Sequence, residues 1–310
     1  GILNLSALPP LSLYVHFPWC VRKCPYCDFN SHEAKGDIPE NEYLEALRAD
    51  LEHSLPLIWG RTVQTVFIGG GTPSLFSPAG IEQLLSDVRS LLRLTASAEI
   101  TLEANPGTFE RERFKAFRQA GVTRLSVGVQ SFHDPHLTAL GRVHSRDQAM
   151  AALEEAQACF DTFNLDLMYA LPGQSQAEAL ADVNEAIAHE TTHLSFYHLT
   201  IEPDTLFHRR PPVVPDDDAA ALIEEAVHGA LEAAAYEHYE TSAFARASQQ
   251  LASGSTGSPA EMGLTLANLF GNQAGQAGSS AAGIAAAIQA QQNADRQYQL
   301  MSQYFRKLGI

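Results

Sequence analysis

The chain has 310 residues, 45% of them hydrophobic, with a net charge of -16 at neutral pH. That length and apolar fraction support a sizeable core, and one α/β barrel can fill most of it. The acidic balance and the lack of a basic patch argue against nucleic-acid binding. No basic start followed by an apolar stretch and cleavage site is visible, and no uncharged apolar run is long enough to span a bilayer, so a cytoplasmic protein is expected. The four cysteines form no disulfide framework, which fits a reducing compartment. The first residue is Gly1 rather than Met, which suggests a trimmed or partial chain.

In chain order, the apolar and aromatic run Leu11 to Phe17 reads as a buried strand stopped by Pro18. A loop with Cys20, Cys24 and Cys27 follows. Residues Pro39 to Leu55 carry apolar residues at helical spacing. The β-branched stretch Thr62 to Ile68 reads as a second strand that runs into Gly69-Gly70-Gly71-Thr72-Pro73. Pro78 to Leu92 reads as a helix, Glu99 to Glu103 as a strand, and Phe109 to Gln119 as a helix closed by Gly121. Strands are expected over Arg124 to Gln130, Phe163 to Tyr169 and His193 to Leu199, separated by helices over Arg146 to Cys159 and Gln176 to His189. Cys159 is expected to be a buried helix residue.

Six strand-helix units imply a parallel sheet, and right-handed crossovers curl it into an open (β/α)6 barrel short of the closed eight-stranded form. The cysteine loop, Gly69 to Thr72, Glu103 to Pro106, Gln130-Ser131 and Asp166 then fall at or just past the C-terminal ends of strands. Parallel α/β sheets bind ligands at that rim.

The spacing C-x3-C-x2-C can gather three thiolates on one side of a tight loop, one short of a complete set for zinc or a cubane cluster. A zinc knuckle completed by His16 or His32 is the competing reading. Tyr26, between the last two cysteines, offers a flat apolar face to a cluster or cofactor. The glycine run could let backbone approach a ligand or could simply make a sharp turn. Glu103 and Asp166 can accept hydrogen bonds from ribose hydroxyls or an ammonium group, Arg142 can pair with a carboxylate, and Gln130 offers both donor and acceptor. For each of these a salt bridge or cap at the rim is the bland alternative. His133, His136, His144, His193, His198 and His208 are assigned no role.

The cysteine pattern, with an aromatic residue just before the last Cys, resembles the cluster motif of the radical S-adenosylmethionine (SAM) superfamily. The combination of Tyr14-Val15-His16-Phe17-Pro18-Trp19-Cys20, Gly69-Gly70-Gly71-Thr72-Pro73, Glu103-Ala104-Asn105-Pro106, Gly128-Val129-Gln130-Ser131-Phe132, Leu140-Gly141-Arg142 and Asp166-Leu167-Met168-Tyr169-Ala170-Leu171-Pro172-Gly173 is similar to the oxygen-independent coproporphyrinogen III oxidases and their relatives. This resemblance covers about Leu11 to Arg246. It implies that Cys20, Cys24 and Cys27 hold a 4Fe-4S cluster, with SAM chelating the fourth iron through its amino and carboxylate groups. It also implies that Tyr14, Tyr26, Gly70, Gly71, Thr72, Glu103, Gln130, Arg142 and Asp166 surround SAM.

In the true oxidases a further Cys stands two positions after the last cluster cysteine, where this chain has Phe29. That resembles the heme-chaperone (HemW-type) branch, whose members bind heme and deliver it to acceptor proteins. The resemblance therefore implies a heme chaperone that binds cluster, SAM and heme as cargo. The alternatives are a coproporphyrinogen oxidase that decarboxylates propionates and a remnant without further function. Residues 1 to 246 are read as the radical SAM core and the start of the family's C-terminal region. Residues 247 to 310, rich in Ala, Gly, Ser and Gln and lacking a His-Asn-x-x-Tyr-Trp motif, are read as an unrelated flexible segment with a terminal helix from Gln291 to Leu308.

Overall fold

The computed structural model describes residues 11–58, 60–240 and 242–246. The readings for the segment from 247 onward lie outside the described residues.

A parallel sheet forms the centre. Its strands are β1 (Leu11–Phe17), β4 (Thr62–Gly70), β5 (Arg93–Ala104), β6 (Arg124–Gln130), β7 (Thr162–Tyr169) and β8 (His193–His198), hydrogen-bonded in that order. Short strands β2 (Trp19–Cys20) and β3 (His32–Glu33) bracket the cysteine loop and pair with each other. Helices α1 (Glu40–Ser54), α2 (Pro78–Leu91), α6 (Arg146–Cys159) and α7 (Gln176–Ala188) make crossovers, as expected of a partial barrel. The α6 and α7 starts are fixed by capping boxes at Ser145 and Ser175, in which hydroxyl and Gln or Glu side chain satisfy backbone N–H groups reciprocally.

Three features depart from the sequence reading. The helix expected over Phe109 to Gln119 is broken into α3 (Thr108–Arg111) and α4 (Phe114–Ala120). At the break, Arg113 donates to the carbonyls of Leu75 and Phe76, and Phe114 and Phe117 turn fully into the core while Phe109 stays exposed. Gly121 ends α4 in the left-handed region at φ 115°, as its type allows. Cys159 is only half-buried, because it stands on the last turn of α6 and donates to Glu155 one turn back at 3.2 Å. The sheet also has eight strands rather than six. After α5 (Asp134–Ala139) and α8 (Leu206–Arg209), which lie in rim loops, α9 (Asp217–Ala233) packs beside α7. Strands β9 (Tyr236–Glu240) and β10 (Ala243–Arg246) follow, with β10 antiparallel to β8 and β9 at the edge.

Strand alternation sorts the two faces. Leu13, Val15, Val66, Ile68, Leu102, Leu125, Val127, Leu165 and Leu194 point under the helices into a core shared with Leu85, Phe117, Leu153, Val183 and Val227. Burying each such side chain stabilises the fold by about 1.5–3 kcal/mol. The register sets the other parity side by side across the sheet: Ser12 with Thr65, Tyr14 with Phe67, Arg124 with Thr101, Asn164 with Ser126, and Ser195 with Asp166. This concave face is mostly polar and internally bonded. Thr65 donates to Ser12 at 2.7 Å, Arg124 to Thr101 at 3.0 Å, and Asn164 to Ser195 at 2.9 Å. A polar concave face capped by glycines and carboxylates at its C-terminal end leads directly to the rim.

Candidate functional site at the C-terminal rim

The cysteine loop is built from its own backbone outward. Cys27 N–H donates to Cys24 C=O at 3.0 Å, which closes the tight turn between the last two cysteines. His32 N–H and Ala34 N–H return to the carbonyls of Pro18 and Cys20. Ser31 lies between the sulfurs and the loop, 3.6 Å from Cys27 Sγ. Burial pushes the Cys20 thiol up to about 11, with Ser31 opposing and the other two cysteines adding to the rise. The Cys27 thiol is raised by the same cause. A metal that takes Cys20 and Cys27 as thiolates must therefore displace protons that burial helps to hold.

The two histidines offered for a zinc knuckle are engaged elsewhere. His16 has Tyr14 Oη at 3.1 Å on Nδ1 and the Asn30 carbonyl at 2.8 Å on Nε2. His32 is exposed, with Nε2 3.2 Å from Asn30 Oδ1. Among the described residues no group of three or more metal-ligating side chains is drawn together at the cysteine loop, and three thiols alone are the donor set of a cluster with one open iron rather than of a closed zinc site.

The glycine run seats the loop. Gly71 N–H donates to Phe17 C=O at 2.6 Å and Thr72 N–H to Trp19 C=O at 2.7 Å. A Cβ at Gly71 would stand 2.4 Å from the Trp19 carbonyl oxygen, and one at Gly70, where φ is 120°, 2.5 Å from that of Phe17. The close approach at these two glycines is to the chain's own backbone just before Cys20. The sequence left that open between a ligand cradle and a plain turn.

Arg142 is the junction. Its Nη2 donates to Asn105 Oδ1 at 2.8 Å and to Gly128 C=O at 2.9 Å, while Nη1 lies 3.6 Å from Cys24 Sγ. Burial alone would lower its pKa, but Tyr26 and Cys24 beside it raise it. Its Nε is buried and has no hydrogen-bond partner among the described residues, a donor left over for a ligand. Gln130 ends β6 with φ 70° after a register shift, and its Nε2 is 3.1 Å from where a Cβ of Gly128 would stand. Such backbone strain gathers at functional sites. Tyr26 packs on Phe207 of α8 at 6.2 Å, and Phe207 N–H donates to Pro25 C=O, so the loop is clamped from the far side. Desolvation raises the Tyr26 phenol well above its usual range, with Arg142 opposing.

The carboxylates form a second group. Glu103 accepts from Gly70 N–H at 2.9 Å, and burial pushes its carboxyl up to about 8, the Gly70 bond opposing and Asp166 adding. Asp166 accepts from Ser126 at 2.6 Å and from the Asn164 amide, which hold it on the concave face. Tyr14 stacks on Phe67 at 6.1 Å, and its phenol is raised by burial and then by Glu103. A half-buried carboxyl poised this high is matched to a cationic or hydroxyl-bearing ligand.

Of the residues proposed from the sequence, the cysteine loop, Gly70 to Thr72, Glu103, Gln130 and Arg142 stand at the rim, whereas Tyr14 and Asp166, the latter expected at a strand end, lie inside β1 and β7 on the concave face. Cys24, Tyr26, Thr72, Gln130 and Arg142 share one group, and Tyr14, Gly70, Glu103 and Asp166 share the other. Sequence reasoning gave no separate role to Asn105, which donates to Thr72 Oγ1 at 3.2 Å while accepting from Arg142. Its position directly after the Glu103 strand end was the available signal. His144 is structural: buried, Nε2 2.9 Å from Val129 C=O, and pushed down to about 3 by burial and then by Arg142.

The chain matches the Radical SAM superfamily over residues 14–186, more than half of its length, and belongs to that superfamily. Among curated proteins it is similar to the heme chaperone HemW of Escherichia coli (strain K12), 54% identical over 244 residues that cover 78% of this chain and 65% of that one. The heme chaperone HemW of Haemophilus influenzae is 52% identical over 251 residues, 79% of this chain and 66% of that one. The chain thus spans a little under two thirds of the length of these relatives. Among solved structures it resembles the Escherichia coli coproporphyrinogen III oxidase HemN, a radical SAM enzyme, with TM-score 0.71 at 29% identity over 79% of this chain and 57% of that one. The similarity to the coproporphyrinogen oxidase family and its HemW branch is borne out by these relatives.

Proposed function

We propose that this chain carries the radical SAM core of a heme chaperone and that the whole protein binds heme and hands it to acceptor proteins. The observation that carries this reading is the 54% identity with a protein named heme chaperone HemW. Phe29, in place of the oxidase's additional cysteine, agrees with it. This residue is 37% exposed.

In this reading Cys20, Cys24 and Cys27 hold a 4Fe-4S cluster, and Arg142, through its spare Nε, orients the carboxylate of SAM. Glu103 and Asp166 take hydroxyl or cationic groups of SAM, Tyr14, Gly70 and Gly71 shape the floor beneath it, and Gln130, Thr72 and Tyr26 line its flank. Bound together, cluster and SAM supply one-electron chemistry to this superfamily. The protein's own contribution is to fix the loop, exclude water with Tyr26 and Phe207, and hold Arg142 charged beside Cys24. Residues 1–246 form the core unit. A cytoplasmic setting suits thiols that must stay reduced.

The test is anaerobic titration of reconstituted protein with heme, followed by transfer to an apo-heme protein. Saturable heme binding with transfer and no porphyrin product is expected. Conversion of coproporphyrinogen would favour the oxidase reading instead, and absence of both heme binding and conversion would favour a remnant.

A further inference from the structure

We propose that His133, His136 and Glu178 form a binding site for a zinc-class divalent cation, separate from the cysteine loop. One ligating atom from each of the three lies within 4.8 Å of the others. An ion about 2.0–2.2 Å from every donor holds them no more than about 4.4 Å apart, so binding draws the three slightly together. His133 and His136 are three residues apart at the start of α5, and their rings meet at 4.7 Å, tilted by 64°. Glu178 comes from the first turn of α7. Its Oε2 is 3.6 Å from His136 Nε2, long for a hydrogen bond and close to the edge of a zinc tetrahedron, about 3.4 Å.

The site is assembled before any ion arrives. Asp182, one turn beyond Glu178, accepts from Ser131 Oγ at 2.7 Å and from Phe132 N–H at 2.8 Å. His133 N–H donates to Ser131 Oγ at 3.0 Å, so the residues leading into α5 are fastened to α7 by buried bonds. Glu178 is oriented by its capping box, with Oε2 accepting from Ser175 N–H at 2.8 Å. His136 is only 5% exposed, with Nε2 turned to the Glu178 carboxylate. Burial lowers its pKa, with Glu178 opposing, which favours the neutral imidazole that metals take.

Two imidazoles and one carboxylate select a borderline cation such as zinc over calcium or magnesium, which prefer oxygen throughout. His133 is exposed, so water can complete the coordination sphere. An ion here would tie α5, which leads through Leu140 and Gly141 to Arg142, to α7.

Holoprotein with its cluster reconstituted is equilibrated anaerobically with Zn²⁺, and iron and zinc are counted by elemental analysis. One zinc per chain beyond the iron is expected, and also in a Cys20→Ala/Cys24→Ala/Cys27→Ala variant, which has no cysteine-loop thiols to bind it. His133→Ala, at an exposed position, and Glu178→Gln, which retains the capping box, should each bind zinc at least about tenfold more weakly, with iron content unchanged. No zinc on the wild type, zinc affinity unchanged from the wild type in either single variant, or zinc lost only with the three cysteines would each overturn the assignment.

Discussion

The guanidinium of Arg142 reaches Cys24, 118 residues earlier in the chain, at 3.6 Å, while Asn105 and Gly128 hold its other nitrogen. One side chain thus joins the cysteine loop, the end of β5 and the end of β6. Arg142→Ala should weaken SAM binding by about 1.5–3 kcal/mol, the worth of a charge-assisted hydrogen bond. Arg142→Lys should recover little, since a point charge cannot span the same three partners. Calorimetry on reconstituted protein measures both. Unchanged affinity would reduce Arg142 to a brace for the loop.

Each of Cys20→Ala, Cys24→Ala and Cys27→Ala should abolish the cluster, because two thiolates are too few to hold it. Cys159→Ala should leave it intact, since Cys159 sits at the end of α6 against Glu155. The broad visible absorbance after anaerobic reconstitution reads the outcome. A single loop variant that keeps full absorbance would sink the assignment.

If Glu103 contacts SAM as proposed, binding should depend on pH. Its carboxyl is raised from 4.5 to about 8, so in the ligand-free protein it is mostly protonated below that value. A sulfonium cation or ribose hydroxyl favours the carboxylate, so affinity should rise with pH up to about 8, by at most about tenfold per unit, and then level off. Stability runs the opposite way. Between pH 4.5 and about 8 the folded chain keeps a proton that the unfolded chain has lost, so this group's contribution to stability falls as pH rises. Glu103→Gln should flatten both profiles, as followed by calorimetry and by thermal unfolding across pH.

Gly141 and Gly173 separate backbone strain from contact. Both have left-handed backbone, φ 69° and 68°, but a Cβ at Gly141 would stand 2.7 Å from Pro25 Cδ, whereas one at Gly173 meets nothing within 4 Å. Alanine at either position should cost about 1–2 kcal/mol. Only Gly141→Ala should push on the cysteine loop and lower iron content per chain. Equal iron in the two variants would mean that the Pro25 contact does not position the loop.

Much of the fold was legible because strand parity is local. The alternation of Ser12, Tyr14 and His16 with Leu13, Val15 and Phe17 is a property of neighbouring residues, as are the helical spacing of α6 and the left-handed turn at Gly121. The cysteine spacing and Glu103 near the end of its strand were visible for the same reason, whereas Asp166 lies inside β7. The break before Phe114 and the antiparallel strands β9 and β10 were not, because they depend on carbonyls and strand edges supplied by distant segments. By itself the sequence determined the parallel barrel, its rim and the thiol trio. Only the tertiary structure decided that Gly70 and Gly71 press against β1, that Asn105 clamps Arg142 onto Cys24, and that His133 and His136 meet Glu178. Those are contacts between residues dozens of positions apart, and no local periodicity encodes them.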